Sequence, residues 1–366
     1  MNTRSRRGRD RGGILLALAV LLALLALAAG GVALLLRSEW NTPYAAFAPE
    51  GVFVEIPHGM PVASIARALE STGVVRSALA FRALALLHRR ERLEAGEYRF
   101  DHPQTPEQVL DILAHGRIYL VTVAIPEGQT MFDVAALLDA KGVVPRDAFL
   151  AAARSPRLIA DLAPAAPSLE GFLFPATYQF PRHQPPEKIA EVMVRRFREA
   201  WSEVSANTGG SAAGAAHLGP LGVVTLASLV EKETGVPDER PLVASVFANR
   251  LRTGMSLDCD PTVIYALLLD GRYNGRLLLP DLRVDSPYNT YRKRGLPPGP
   301  IANPGEASLR AALNPASGKL LYFVATGAGG HAFGSTLAEH NRNVAKYRQY
   351  EARMARSARA ARKASP

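Results

Sequence analysis

The apolar positions of the chain form one long unbroken run near the start and short periodic patterns afterwards. Residues 12–36 carry no charge (GGILLALAVLLALLALAAGGVALLL). At about 1.5 Å per residue, a helix of this length exceeds the roughly 30 Å hydrocarbon core of a bilayer. Five arginines and one aspartate lie in residues 1–11, and basic flanks of a spanning helix stay in the cytoplasm. The pattern predicts a cytoplasmic tail at 1–11, a single-pass anchor in the cytoplasmic (inner) membrane at 12–36, and a remainder outside that membrane.

A cleaved signal peptide is the alternative interpretation of this run. The Ala-Leu-Ala-Ala stretch at 26–29 has the small residues that a cleavage site needs. The apolar run continues beyond that stretch, which favours an uncleaved anchor. Residues 37–49 are then predicted to form a short stalk, with Trp40 and Tyr44 suited to the membrane interface.

A repeated pattern follows the predicted stalk. Residues 54–75 (VEIPHGMPVASIARALESTGVV) and 123–144 (VAIPEGQTMFDVAALLDAKGVV) align without gaps, with nine identities in 22 positions. Each predicts a short strand ending in Ile-Pro-x-Gly and then an amphipathic helix. Gly73 and Gly142 stand where a helix C-terminus needs a glycine.

Between the two repeats, 94–99 predicts a strand and 104–115 a helix, with Thr105 as N-cap and Pro106 at the first helical position. Small strand–helix units of this kind resemble LysM-type modules, which bind peptidoglycan. Residues 50–118 are therefore predicted to form a LysM-like α/β module. A packing scaffold without a ligand is the alternative.

The charge of the chain is concentrated at its two ends. The formal net charge is +10, of which residues 1–11 contribute +4 and residues 342–366 contribute +7, so the residues between them are near neutral. This distribution argues against a basic groove for nucleic acid. Residues 346–366 are predicted to be a basic C-terminal tail. The single cysteine, Cys259, excludes an intramolecular disulfide.

One helix in the second half of the chain carries a carboxylate of special interest. A helix is predicted over 219–234, opened by Gly-Pro and stopped by the glycine and proline that follow. At about 100° per residue, Glu231 lies on one flank of the apolar stripe and Glu233 on the other. Helical glutamates are usually solvated, but one held against apolar surface can act as a general acid. Periodicity leaves both interpretations open.

Several motifs together resemble the endolytic murein transglycosylases, the YceG-like family. The motifs are LEGFLFPATYQF (169–180), LVEKET (229–234), DPTV (260–263), YNTY (288–291) and GLPPGPI (295–301). The resemblance runs from the anchor to about Tyr347. It implies a membrane-anchored enzyme that cuts the β-1,4 bond after N-acetylmuramic acid within nascent peptidoglycan strands, leaves 1,6-anhydro ends and thereby ends strand growth.

The resemblance also assigns the catalytic residue. The first glutamate of the Val-Glu-Lys-Glu-Thr motif is Glu231, which would act first as the acid and then as the base. The sugar's own C6 hydroxyl is the nucleophile, so one carboxylate suffices, and no metal or cofactor is expected. No nucleic acid is expected as a partner. Contact with peptidoglycan synthases of the elongation or division machinery is a further expectation.

Around Glu231 the resemblance implies a set of substrate-binding side chains. They are Tyr288, Asn289, Tyr291, Glu170 and Glu233. Asp260 and Thr262 are expected to cap a helix at Pro261, the loop 295–299 to frame the cleft, and Asn249-Arg250 to orient helices. His331 and His340 are expected to form hydrogen bonds. The chain departs from the family pattern at Ala176, where an aspartate is common, and at Cys259.

The predicted fold is α+β, with one N-terminal transmembrane helix, the LysM-like module and a larger mixed α+β catalytic domain. That domain is predicted over 119–345 and begins with the second repeat. Two other functions remain open. A hydrolytic muramidase would need a second carboxylate near Glu231, with Glu170 or Glu233 as the candidates. A non-catalytic scaffold would bind peptidoglycan without cutting it.

Overall fold

The computed structural model describes residues 6–88, 92–206 and 215–364. The chain divides into two compact units, Met1–Leu120 and Val121–Pro366, called here the first and second units. Each unit buries its own set of apolar side chains. The fold is mixed α+β, as predicted.

The first unit begins with a long apolar helix, α1 (Arg6–Asn41). Its segment Leu15–Asn41 contains an 18-residue stretch with a mean hydropathy of 2.7 and is long and apolar enough to cross a membrane, a property that anchors share with signal sequences. The helix continues past the predicted end at residue 36 into the expected stalk. There the indole N–H of Trp40 donates to the carbonyl of Ala80 at 2.8 Å, so this ring is packed on the first unit.

The remainder of the first unit is a two-stranded sheet with three helices. These elements are β1 (Val52–Ile56), α2 (Val62–Ser71), α3 (Ala78–Leu87), β2 (Gly96–Phe100) and α4 (Pro106–Ala114). β1 pairs antiparallel with β2, and α2 buries Ile65, Ala66 and Leu69 at helical spacing. Thr105 caps α4 in a capping box with Gln108, which confirms the predicted helix start.

The second unit repeats this plan and then adds helices. Its elements are β3 (Leu120–Ala124), α5 (Met131–Ala140), α6 (Arg146–Ala153), β4 (Thr177–Pro181), α7 (Pro186–Ala206), α8 (Gly219–Glu233), α9 (Arg240–Thr253), α10 (Asp260–Leu269), α11 (Glu306–Leu313), β5 (Tyr322–Ala325), β6 (His331–Gly334) and α12 (Leu337–Ala364). Strands β3 and β4 form one sheet, and β5 and β6 another. The predicted basic tail therefore lies in α12, which is helical to Ala364.

Helix α8 is the central element of the second unit. It spans Gly219–Glu233, in agreement with the predicted helix, and packs against α9, α10 and α11. All residues from Val223 to Val230 are buried, whereas the sequence pattern predicts a single apolar stripe. A helix buried on every face lies inside a core, so the last turn of α8 emerges from the interior with Glu231 on it.

Candidate active site

Glu231 is held against the protein rather than solvated. Its side chain is only 7% exposed. The backbone N–H of Gly305, just before α11, donates to Oε2 at 3.0 Å. Oε1 lies 3.7 Å from an Nη atom of Arg240, the first residue of α9. The Glu231 carboxylate therefore lies at the border of the core with one defined partner for each of its oxygens.

A buried asparagine brings the surrounding loops together. Asn303 is fully buried, and its side-chain oxygen accepts from the N–H groups of Gly171 and Leu173 at 2.8 and 3.0 Å. Its side-chain nitrogen donates to the carbonyl of Gln129 and to Glu170, both at 2.9 Å. One side chain therefore connects the LEGFLF segment, the loop after β3 and the Asn-Pro-Gly segment before α11.

The loop after β3 covers the Glu231 side chain. The N–H of Gly128 donates to the carbonyl of Asn303 at 2.9 Å, and Lys232 Nζ donates to the carbonyl of Gly128 at 3.1 Å. A Cβ built on Gly128 would lie 3.5 Å from Glu231 Cγ. Gly128 has φ of +74°, a conformation that glycine adopts without strain.

The same loop carries a second carboxylate, Glu127, which the sequence analysis does not single out. A Cβ at Gly305 would collide with this carboxylate, so Glu127 lies directly against the residue that binds Glu231. Burial raises the pKa of Glu127, the charge of Glu231 raises it further, and Arg240 acts in the opposite direction. The sequence repeat could have identified Glu127. The variable position of Ile-Pro-x-Gly is histidine in the first copy and glutamate in the second.

Glu170 is not an open carboxylate of the cleft. It is 1% exposed, and its two oxygens accept from the N–H of Met131, the first residue of α5, at 3.0 and 2.9 Å. Burial raises its pKa to about 8. As placed, Glu170 connects the start of α5 to Asn303, which supports the loops around Glu231.

Two of the predicted substrate-binding residues hold their own loop. Asn289 is fully buried, and its amide nitrogen donates to the carbonyls of Leu282 and Val284 at 3.0 and 2.8 Å. The ring of Tyr288 packs on that of Tyr265, with 5.1 Å between centroids. The amide of Asn289 also accepts from the N–H of Tyr291, so its polar atoms are committed to the backbone.

Glu233 and Tyr291 face a different part of the second unit. Both line a cavity of about 380 Å³ that also includes Arg250 and His340. Cys259 Sγ donates to Glu233 Oε1 at 3.0 Å, and burial raises the pKa of Glu233. Side chains two residues apart on a helix point to different sides. Glu231 and Glu233 therefore contact different sets of neighbours.

The expected helix cap at residue 260 is corrected by the structure. Cys259 occupies the N-cap of α10, and its side chain makes no capping hydrogen bond. Asp260 is the first helical residue, and its carboxylate accepts from the hydroxyl of Tyr291 at 2.6 Å. Thr262 donates to the carbonyl of Cys259 at 2.6 Å. Cys259 has the extended backbone that an N-cap requires. The N-cap therefore lies one residue before the predicted Asp260.

Of the two histidines expected to form hydrogen bonds, His331 has a hydrogen-bond partner for Nδ1 and His340 does not, among the residues that the structure describes. His331 Nδ1 lies 2.7 Å from a carboxylate oxygen of Glu239. His340 Nδ1 is buried and has no partner among the residues that the structure describes, and its ring stacks on Tyr322. Over the described ranges, no group of three or more His, Cys, Asp and Glu side chains is arranged to hold a metal ion.

Asn249 and Arg250 are expected to orient helices, but the bonds they form fix the end of α9 to the chain before β5. The amide of Asn249 donates to the carbonyl of Leu320 at 2.9 Å, and Arg250 Nε donates to that of Leu321 at 2.7 Å.

The chain is similar in sequence to a known family and to several known proteins. The model of the YceG-like family matches residues 54–346. The endolytic murein transglycosylase of Bacillus subtilis (strain 168) is 32% identical over 311 residues, which cover 81% of this chain and 84% of that protein. The endolytic murein transglycosylase of Streptococcus pneumoniae serotype 2 is 30% identical over 328 residues. That alignment covers 81% of this chain and 58% of the relative, so the chain spans somewhat more than half of the longer protein.

A solved structure is also similar. The crystal structure of a YceG-like protein from Listeria monocytogenes superposes with a TM-score of 0.54 at 32% sequence identity. The match covers 81% of this chain and 99% of that one.

Proposed function

Because the chain belongs to the YceG-like family, we propose that it is a membrane-anchored endolytic transglycosylase of peptidoglycan. It cleaves the β-1,4 bond after N-acetylmuramic acid within glycan strands, leaves 1,6-anhydro ends and terminates strand elongation. The relatives named endolytic murein transglycosylases, which align over most of the chain, support this proposal.

The environment of Glu231 carries the proposal. In the first step, its protonated carboxyl group gives its proton to the glycosidic oxygen as the bond from that oxygen to C1 breaks. The surrounding core excludes most water from a side chain that is only 7% exposed. A dry site strengthens the interaction with the charge that develops on the sugar.

In the second step, Glu231 acts as a carboxylate base. It accepts the proton of the C6 hydroxyl while that oxygen forms a bond to C1, so the proton is regained and no water is consumed. The Gly305 N–H donates to one oxygen of this carboxylate and the Arg240 guanidinium lies beside the other, so both oxygens have a polar partner during this step. The nucleophile is part of the same sugar, which lowers the entropic cost of the step.

The other predicted site residues receive two kinds of role. Tyr291 and Glu233 are proposed to contact the strand beyond the cleaved bond, through the cavity of about 380 Å³ that they line. Tyr288, Asn289 and Glu170 are proposed to support substrate binding indirectly, since their side chains are buried and hold the loops in place.

The remaining parts of the chain support delivery to the wall. Helix α1, with its apolar segment Leu15–Asn41, is proposed to anchor the protein in the inner membrane with the N-terminus in the cytoplasm. The strand–helix–helix–strand arrangement of the first unit is proposed to act as a LysM-like module that contacts glycan. Peptidoglycan synthases are the proposed partners.

A hydrolytic muramidase is the second candidate, and one observation favours it. A carboxylate pair can activate water as well as protonate the leaving oxygen. Glu127, rather than Glu170 or Glu233, is the carboxylate that lies at the residue binding Glu231.

The test is the chemistry of the new strand ends. Full-length protein in detergent would be incubated with peptide-free glycan strands and with nascent, membrane-linked glycan, alongside E231Q. Mass spectrometry should find products lighter by one water than hydrolytic ones, and E231Q should lose roughly 10²- to 10⁴-fold in rate. Reducing ends would establish the muramidase, and binding without cleavage of either substrate would establish a scaffold.

A further inference from the structure

Two carboxylates meet at the start of α11, although the proposed reaction uses only one of them. Glu231 accepts the N–H of Gly305, and the carboxylate of Glu127 lies against the same glycine. Glu127 lies at the turn after β3 with part of its surface exposed, while its carboxylate is packed against Gly305. Its position therefore calls for a physical explanation.

Position 305 requires a glycine because a side chain there would not fit, and not because of its backbone conformation. Its φ of −78° and ψ of 173° lie in the extended region that any residue adopts. A Cβ at this position would overlap the Glu127 carboxylate. The glycine thus leaves open the volume that the Glu127 side chain fills.

The positive charge of Arg240 acts on both carboxylates. It lies 3.7 Å from Glu231 and lowers the pKa of Glu127 by its charge. Its Nε donates to the hydroxyl of Ser308 in the first turn of α11 at 3.2 Å, which fixes the guanidinium in place. One anchored cation is therefore shared by two anions.

Two more charges border this group. Glu306 is the first residue of α11 and acts on Glu127 by its negative charge. Lys232 follows Glu231 on α8, and its ammonium group is held on the carbonyl of Gly128. The site thus contains three carboxylates, one guanidinium and one ammonium group.

The general acid role of Glu231 needs a counterweight to its cationic surroundings. The Gly305 N–H, the positive end of α11 and Arg240 all present positive charge to its carboxylate. Glu127 supplies a negative charge at the same residue, and it neutralises part of the effect of Arg240.

Resting on the proposed function, we propose that Glu127 is a positioning residue for the reaction. Its carboxylate fills the space left by Gly305, shares Arg240 with Glu231 and so keeps Glu231 able to carry the proton for the glycosidic oxygen. Glu127 forms no bond to the sugar. It acts through Glu231.

The pH dependence of cleavage by the full-length protein tests this role. Rates on glycan strands would be measured from pH 5 to 9 for wild type, E127Q and E127D. Removing the negative charge favours the ionised form of Glu231, so E127Q should lose roughly tenfold at neutral pH and recover as the pH falls. E127D keeps the charge and should retain most of the wild-type profile.

A matched control and a second variant make the result decisive. Glu187 is an exposed carboxylate in the first turn of α7, and E187Q should leave the profile unchanged. G305A places a Cβ where the Glu127 carboxylate lies and should shift the profile in the same direction as E127Q. Equal thermal unfolding midpoints for E127Q and wild type would show that the fold is intact.

Three outcomes would overturn the inference. E127Q with the wild-type profile would show that the charge does not act on Glu231. A loss of equal size at every pH, also in E127D, would show a purely structural role. Reducing ends in the wild-type products that disappear in E127Q would make Glu127 a hydrolytic base, and the proposed function would fail with it. Anhydro ends in the wild-type products, together with the first or second of these outcomes, would leave the proposed function intact and reject the inference alone.

Discussion

The two units of the molecule contain the same strand–helix–helix–strand arrangement but use it differently. In the first, β1, α2, α3 and β2 follow one another and the two strands pair. In the second, β3, α5, α6 and β4 do the same. The 22-residue sequence repeat is thus part of a longer structural repeat. The difference lies in what surrounds each copy.

The turn after the first strand shows this most clearly. Gly59 and Gly128 occupy the same position, with φ of +77° and +74°. Nothing lies within 4 Å of a Cβ built on Gly59, whereas one built on Gly128 would contact Glu231. The preceding residue is His58 in one copy and Glu127 in the other.

The helix that follows is also held differently. Helix α2 has Pro61 as its N-cap residue, which provides no side-chain cap. Helix α5 begins with a capping box formed by Thr130 and Asp133, and Glu170 accepts its first N–H. The comparison teaches that one supersecondary element becomes part of an active site when neighbouring segments bind its turn and its helix start.

Exchanging the two turn residues should give the largest effect. E127H removes the charge beside Glu231 and should lower glycan cleavage at neutral pH by roughly tenfold. H58E changes an exposed turn and should leave cleavage unchanged. Cleavage rates of both variants in the full-length protein would measure the contrast, and equal losses would mean that the two turns are functionally alike.

The pH dependence of stability should also separate the two copies, because only α5 has a buried carboxylate at its start. Burial raises the pKa of Glu170 from an ordinary value near 4.5 to about 8. Between these values the folded protein holds a proton that the unfolded chain has released, so the stabilisation present at low pH is lost as the pH rises.

E170Q removes the group that binds this proton. The stability of this variant should therefore decrease less than that of the wild type as the pH rises. Thermal unfolding midpoints of wild type and E170Q at pH 5, 6.5 and 8 would show it. Parallel curves for the two proteins would contradict the role of Glu170 at the start of α5.

The smallest effect concerns the paired glycines. G59A and G128A each force alanine into a left-handed conformation, which costs about 1–2 kcal/mol. Both should lower the thermal unfolding midpoint by a similar amount, while only G128A should also slow cleavage by disturbing the loop against Glu231. A slower G59A enzyme would remove the distinction between the turns.

Local sequence patterns predicted several elements well, since their causes are local. The Gly-Pro start and Gly-x-Pro end give α8 its bounds, and Thr105-Pro106 gives the start of α4. The family motifs drew attention to Glu231, which the structure holds between Gly305 and Arg240. Cys259 at the N-cap of α10 was missed because Asp260 is the stronger capping residue by type.

The sequence by itself determined the apolar helix, the repeat, the helix signals and the family motifs, because these depend on residues close together in the chain. Only the tertiary structure decided which polar side chains share a site. Asn303 connects segments more than 100 residues apart in the chain, and this brings Glu127 to the glycine that binds Glu231. A carboxylate's role depends on the charges and hydrogen-bond donors around it in space, and spacing along the chain does not encode those neighbours.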